Sequence, residues 1–252
     1  MKSLLAVLLI AYAISDCPNI VKKGSPQNGF TTRYWDCCKP SCSWNNGARS
    51  CDASQNVLGD VNAKSTCDGG PAGTCLSQIP FMIGGCDMGF AFAATPGNNG
   101  GNANCGKCFL ITYNGEGHWK TTPQTQALKG KKLVVMATNI GYDVDPGQFD
   151  IMIPGGGVGA FDGCTDLWGV DLGQRTGGLL FSCEIEVGYN GTEEEMYIQR
   201  KECLTKRCNA TFAKYPELLK GCLFLADWME AAGNPMHTYR EVACPAELKE
   251  KY

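Results

Sequence analysis

The chain has 252 residues, a formal net charge of −3 and 16 cysteines. No basic stripe runs along it, which excludes the electrostatic footprint of a nucleic-acid binder, whereas a neutral polymer asks for no particular net charge. The even cysteine count implies up to eight disulfides in an oxidising compartment, and the length suffices for one domain with a sizeable core.

At the N-terminus, Met1-Lys2 precede an apolar run from Leu4 to Ile14, and Ala13-Ile14-Ser15 has the small-x-small form of a cleavage site. The pattern predicts a secretory signal over residues 1–15, a mature chain from Asp16, and one domain over 16–252, secreted to the extracellular space. The run is too short to span a bilayer and no later stretch is apolar for long enough, so no membrane partner is expected. No linker rich in Pro, Ser and Thr and no second cysteine-aromatic module follows, so no separate polysaccharide-binding domain is expected.

The next segment, Arg33 to Ser43, places one carboxylate, Asp36, between two aromatic rings and three cysteines, with Trp44 directly after. Aromatic faces stack on flat, weakly polar ligands such as sugar rings, and disulfides restrain the backbone that carries the carboxylate. Residue types alone leave two readings equally open: carbohydrate chemistry, or a disulfide-rich loop that exposes an Asp. Further on, Phe90 to Ala94, Cys108 to Tyr113, Lys132 to Thr138 and Gln148 to Ile153 read as strands. Cys105-Gly106-Lys107-Cys108 has zinc-like spacing, but a metal would need a reducing compartment or a second thiolate pair; no metal or other cofactor is expected. Gly155 to Ala160 loosely matches a dinucleotide loop but follows a proline instead of opening a helix. The only histidines are His118 and His237, and no Gly-x-Ser-x-Gly occurs, which argues against a serine triad. Asn190-Gly191-Thr192 and Asn209-Ala210-Thr211 are glycosylation acceptors, and Glu193-Glu194-Glu195 reads as a solvated loop. Tyr215 to Lys220 reads as a short helix. Cys222 to Met229 and His237 to Cys244, flanking Ala232-Gly233-Asn234-Pro235, read as a hairpin. Few long helical periods appear, so periodicity supports a mostly β, loop-rich chain.

The order Thr31-Thr32-Arg33-Tyr34-Trp35-Asp36-Cys37-Cys38-Lys39-Pro40-Ser41-Cys42-Ser43-Trp44 resembles the signature of glycoside hydrolase family 45, small secreted endo-β-1,4-glucanases, in its subfamily A form. The likeness continues in Gly89 to Thr95, Phe149 to Gly159, Phe161 to Cys164 and Cys244 to Leu248. It implies a six-stranded double-psi β-barrel with long disulfide-linked loops. It also implies a monomer that hydrolyses internal β-1,4 bonds of cellulose or related β-glucans with inversion. Inversion needs one protonated and one ionised carboxyl group, roughly 6.5–9.5 Å apart. The family's base matches Asp36 and its acid Asp150; Asp143 matches an auxiliary aspartate in a loop over the cleft. Thr32, Tyr34, Trp44 and Ala94 match substrate-binding positions, Trp44 by stacking on a distal glucose. Phe149 and Ile151 are expected to desolvate Asp150, Arg33 and Lys39 to keep Asp36 ionised, and Asp162 to cap a turn beside Cys164.

The resemblance further implies the pairs Cys37–Cys164, Cys38–Cys67, Cys42–Cys105, Cys51–Cys75, Cys108–Cys244 and Cys203–Cys222. Cys17, Cys86, Cys183 and Cys208 have no counterpart and are expected to form two more bridges. Cys183 to Cys208 reads as an insertion, and Gly106 stands where a family cysteine is common. Gln148 stands where fungal relatives often carry His, and Thr176 where an aromatic is often found on the leaving-group side, with Trp168 as its candidate replacement. Three alternatives remain: a xyloglucan-specific variant, a non-hydrolytic expansin-like polysaccharide binder, and a cysteine-rich defence protein. Expansins lack the base, so Asp36 argues against the second, and the complete pair of aspartates argues against the third.

Overall fold

A computed structural model describes residues 17–45, 47–97 and 101–252; the proposed signal segment lies outside the described residues. Seven strands form one sheet: β1 (Gln27–Tyr34), β2 (Phe81–Met82), β3 (Gly89–Pro96), β4 (Cys108–Gly117), β5 (Lys132–Gly141), β6 (Gln148–Met152) and β7 (Pro235–Val242). Six of them close a ring in the order β3-β5-β4-β7-β1-β6, because β6 pairs back onto β3; β2 only extends β3 outside the ring. The pairs β1–β6 and β3–β5 are parallel and the remaining ones antiparallel. This is the six-stranded barrel expected from the resemblance, with a two-residue strand added. All of β3 is buried, as is Leu133 to Thr138 of β5. Both read as unbroken apolar runs because the barrel interior covers one face and loops or helices the other.

The chain is more helical than its sequence suggests. Helices α1 (Pro123–Ala127), α2 (Cys164–Trp168), α3 (Gly178–Val187), α4 (Glu193–Thr211), α5 (Pro216–Ala226) and α6 (Ala246–Lys249) pack outside the ring. Glu193 to Glu195, expected as a solvated loop, form the first turn of α4. Thr192 and Glu195 close a capping box there, and the three carboxylates meet the positive helix end. The expected hairpin is half wrong. Cys222 to Ala226 belong to α5, where Pro216 opens the helix and Leu218, Cys222 and Leu225 recur on one buried face. Only the second arm is a strand, β7, and it pairs with β1 and β4. Among the described residues no helix is long and apolar enough to cross a membrane.

Every cysteine is bridged. Five of the six implied pairs are present, and Cys17 joins Cys86. The pair Cys203–Cys222 is replaced by Cys183–Cys203 and Cys208–Cys222. Cys203 and Cys208 sit five residues apart on α4, which at 3.6 residues per turn turns them about 140° from one another. One therefore faces α3 and the other α5. Cys105 and Cys108 are both taken up in disulfides, which removes the thiolates that zinc would need. The glycine run is structural: Gly157 (φ +105°) and Gly178 (φ +61°) sit where a Cβ on either would run into the backbone of the other's segment.

Candidate active site

Residues 30, 32 and 34 of β1 share a face, since side chains alternate along a strand. Thr32 pairs in register with Asp150 of β6, and Asp150 pairs in turn with Ala94 of β3. Cross-strand partners share a face, so the small Ala94 keeps the space beside the carboxyl open. Thr32 Oγ1 donates to Asp150 Oδ1 at 2.6 Å and accepts from Gln148 Nε2 at 2.8 Å, while Gln148 Oε1 accepts from Asp145 N at 2.8 Å. Gln148 thus ties the loop between β5 and β6 to Asp150 without titrating. Asp143, exposed in that loop, is close enough to act electrostatically on Asp150.

Asp36 follows the end of β1. Its Oδ1 accepts from Cys38 N at 3.0 Å, and its carbonyl accepts from Gly163 N at 2.9 Å. Trp35 N donates to Gly157 O at 2.7 Å. Disulfides from Cys37 to Cys164 and from Cys38 to Cys67 fasten the next two residues. Asp162 takes the capping role expected of it: its two carboxylate oxygens accept from Thr165 N and Thr165 Oγ1 at 2.9 and 2.7 Å.

Both aspartates are partly exposed, and burial pushes both above the ordinary 3.8. Asp36 rises to about 6, opposed by its backbone hydrogen bonds and helped by Asp162. Asp150 rises to about 7, opposed by the Thr32 hydrogen bond and by Arg33, and helped by Asp143 and Asp36. Phe149 and Ile151 are buried on either side of it, as expected. Tyr34 stays neutral: burial raises its phenol well above 10, and Asp36, Asp150 and Asp143 all add to the rise. Its ring therefore lies amid all three carboxylates, and Asn139 Nδ2 donates to its oxygen at 3.0 Å.

The cations serve differently than expected. Lys39 Nζ donates to the carbonyls of Val61 and Ala63, both at 2.8 Å, and lies 3.5 Å over the Trp44 ring. It buttresses one face of that half-buried ring and does not act on Asp36. Arg33 donates to Gly233 O and Gly177 O at 2.8 and 3.2 Å and acts on Asp150. Trp168 does not replace an aromatic at Thr176. It packs edge-on against Tyr215, centroids 5.2 Å apart, while Thr176 itself lines a groove of about 830 Å³ that begins at Thr32 and Arg33. The aromatic side chains at that groove are Trp119, Tyr189 and Phe181, none of which the sequence motifs single out. The one signal for Trp119 is a tryptophan within a polar, glycine-bearing turn. Asn190 and Asn209 are both exposed, but Asn209 lies inside α4 with its amide donating to Thr205 O at 2.8 Å.

The model of the family described as glycosyl hydrolase family 45 matches residues 28–190. The chain is 43% identical over 234 residues to endoglucanase B of Cellvibrio japonicus, covering 88% of this chain and 44% of that one. It is 38% identical over 230 residues to a putative endoglucanase type K of Fusarium oxysporum, covering 88% and 51%. This chain thus spans about half the length of those two relatives. An endoglucanase of Cryptopygus antarcticus is 35% identical over 255 residues, covering 97% of this chain and 95% of that one. The crystal structure of the cellulase from that Antarctic springtail aligns with a TM-score of 0.69 at 34% identity, over 90% of this chain and 96% of the other.

Proposed function

The chain belongs to glycosyl hydrolase family 45, and from that premise we propose that it is a secreted, monomeric endo-β-1,4-glucanase that cleaves internal bonds of cellulose or related β-glucans with inversion. The observation that carries the proposal is the pair of partly exposed, hydrogen-bonded carboxyl groups that both act on the Tyr34 phenol, Asp150 held by Thr32 Oγ1 and raised to about 7, Asp36 held by Cys38 N and raised to about 6. Between those values Asp150 still holds its proton while Asp36 has lost its own. That is the division of labour a single displacement needs.

Asp150 donates to the glycosidic oxygen as the bond breaks. Thr32 already donates to Oδ1, so the transferable proton belongs on Oδ2. Asp36, held by Cys38 N, takes the proton of the water that attacks the opposite face of the sugar. Asp143 keeps Asp150 protonated by its nearby negative charge, the auxiliary role implied for it. Tyr34 and Trp44 present rings to the sugar chain, and Thr32 and Ala94 shape the floor beside the acid. Residues 1–15 direct export, and Asn190, in the exposed turn before α4, is the better-placed glycan acceptor of the two sequons.

The stereochemistry of the first product tests this directly. Proton NMR of the anomeric signals, taken in the first minutes of digestion of a soluble β-glucan, should show the α-anomer appearing first. A β-anomer as initial product would contradict the single displacement. Binding without any product from cellulose, lichenan, xyloglucan or glucomannan would favour the expansin-like alternative.

A further inference from the structure

Strand β5 carries one residue too many where it passes the site. It pairs with β3 in step from Leu133 opposite Gly89 to Ala137 opposite Ala93, but Ala94 then stands opposite Asn139, so Thr138 is the extra residue of a bulge. A bulge re-aims the side chains next to it. Here it brings Asn139 onto the rung that already holds Ala94, Asp150 and Thr32, and partners on a rung share a face. Thr138, which an unbroken register would put there, instead donates to the sulfur of the buried Met152 at 3.2 Å.

Both ends of the Asn139 amide are engaged. Its Oδ1 accepts from the backbone N–H of Ser41 at 2.8 Å and from the Ser41 hydroxyl. Ser41 Oγ accepts in turn from Ile140 N at 2.7 Å, and the neighbouring Cys42 is bridged to Cys105. A backbone N–H can only donate, so the amide cannot turn over without setting donor against donor. Its Nδ2 therefore faces Tyr34 and donates to the phenol oxygen at 3.0 Å. That contact occupies a lone pair of the phenol and leaves its one hydrogen unspent, pointing away from Asn139. The hydrogen is there to be given, because burial, with Asp36 and Asp150 adding to it, raises the phenol well above its ordinary 10.

We propose that Asn139, locked by Ser41, is a positioning residue for the cleavage step: it turns the Tyr34 hydroxyl so that its single hydrogen is donated to an oxygen of the sugar lying between Asp36 and Asp150. The inference rests on the hydrolase reading above, which supplies the sugar. A phenol left free gives its hydrogen to whichever acceptor is nearest. One held from behind offers it in one direction, and a preorganised donor needs no rearrangement when charge shifts in the reaction.

The test is a double-mutant cycle on kcat/KM, each enzyme being measured at its own pH optimum. Asn139→Asp keeps the size and the bonds to Ser41 but offers Tyr34 an oxygen, which draws the phenol hydrogen out of the cleft. Asn139→Ala removes the hold without adding a charge, and Tyr34→Phe removes the hydroxyl. A neutral hydrogen bond is worth roughly 2- to 10-fold, so each single variant should lose about that factor. Either substitution at 139 should cost almost nothing more in the Tyr34→Phe background, since the group that Asn139 orients is gone. Losses that multiply, or full activity of Asn139→Asp, would overturn the proposal. Neutron diffraction from deuterated crystals reads the orientation without any turnover. Deuterium on Asn139 Nδ2 should face Tyr34, with the Tyr34 deuterium turned away; a Tyr34 deuterium aimed at Asn139 refutes the positioning. If the wild type releases no product from any β-glucan, the hydrolase reading fails by itself, and the neutron result alone upholds or refutes the hold on Tyr34.

Discussion

Cys37 has φ +61°, a left-handed conformation that costs a residue with a side chain on the order of 1–3 kcal/mol. It directly follows Asp36, and its surroundings hold it there. The disulfide to Cys164 fixes the side chain, and the Cys37 carbonyl accepts from Thr66 Oγ1 at 2.8 Å. The chain therefore turns directly after Asp36, within a segment that the disulfide and the Thr66 hydrogen bond hold in place. Asp36→Asn preserves size but cannot accept a proton, so hydrolysis should fall about 10²–10⁴-fold. Asp150→Asn should cost as much on a polymer, yet much less on an aryl glycoside whose leaving group departs unprotonated. Equal losses on both substrates would remove Asp150 from the acid role. The pH profile of kcat/KM should be a bell. Its acid limb, near 6, reports Asp36 losing the proton it must not carry; its basic limb, near 7, reports Asp150 losing the proton it must deliver. Asp143→Asn removes a negative charge that raises Asp150, so the basic limb alone should move to lower pH. Movement of the acid limb instead would place Asp143 beside the base.

At the scale of elements, legibility follows how local the signal is. Asp36 and Asp150 stand out because rare residues crowd around them within a few positions, and the four strands expected between Phe90 and Ile153 are present because apolar, β-branched runs form barrel walls. The strand that carries the site, β1, is not legible: Gln27-Asn28-Gly29-Phe30-Thr31-Thr32 is too polar to look like a barrel strand, and its place is set by its neighbours β6 and β7. In α5, Cys222 to Ala226 is a short apolar run whose period is ambiguous until Leu218 and Pro216 are counted with it. The partner expected for Cys203 is wrong because disulfide pairing depends on which face of α4 a residue occupies, and that is invisible until the helix is known. Lys39 looks like a counter-ion for Asp36 by proximity in sequence, whereas its ammonium is committed to two loop carbonyls.

For the whole molecule, the raised carboxyl groups set function against stability. Asp150 in the folded protein keeps its proton to about 7, while the unfolded chain releases it near the ordinary 3.8. Between those values the native state binds more protons than the unfolded one, so stability falls as pH rises. Below the window both states are protonated and nothing is lost; above it the full cost of an ionised, largely enclosed carboxylate is present. Asp36 adds the same sense of slope over a narrower span, up to about 6. An amide at 150 still accepts from Thr32 Oγ1 and never ionises, so Asp150→Asn should remove Asp150's share of the slope. Urea unfolding with the disulfides intact should find the variant and the wild type alike at pH 4. At pH 8 the variant should be more stable by about 1–4 kcal/mol, since every tenfold difference in proton affinity between the folded and unfolded carboxyl is worth about 1.36 kcal/mol. That gain would appear in a protein that has lost its activity on cellulose, which makes the trade visible in one molecule. Equal stabilities at both pH values would mean that Asp150 titrates as an ordinary surface carboxyl, and the source of its proton at neutral pH would have to be sought elsewhere.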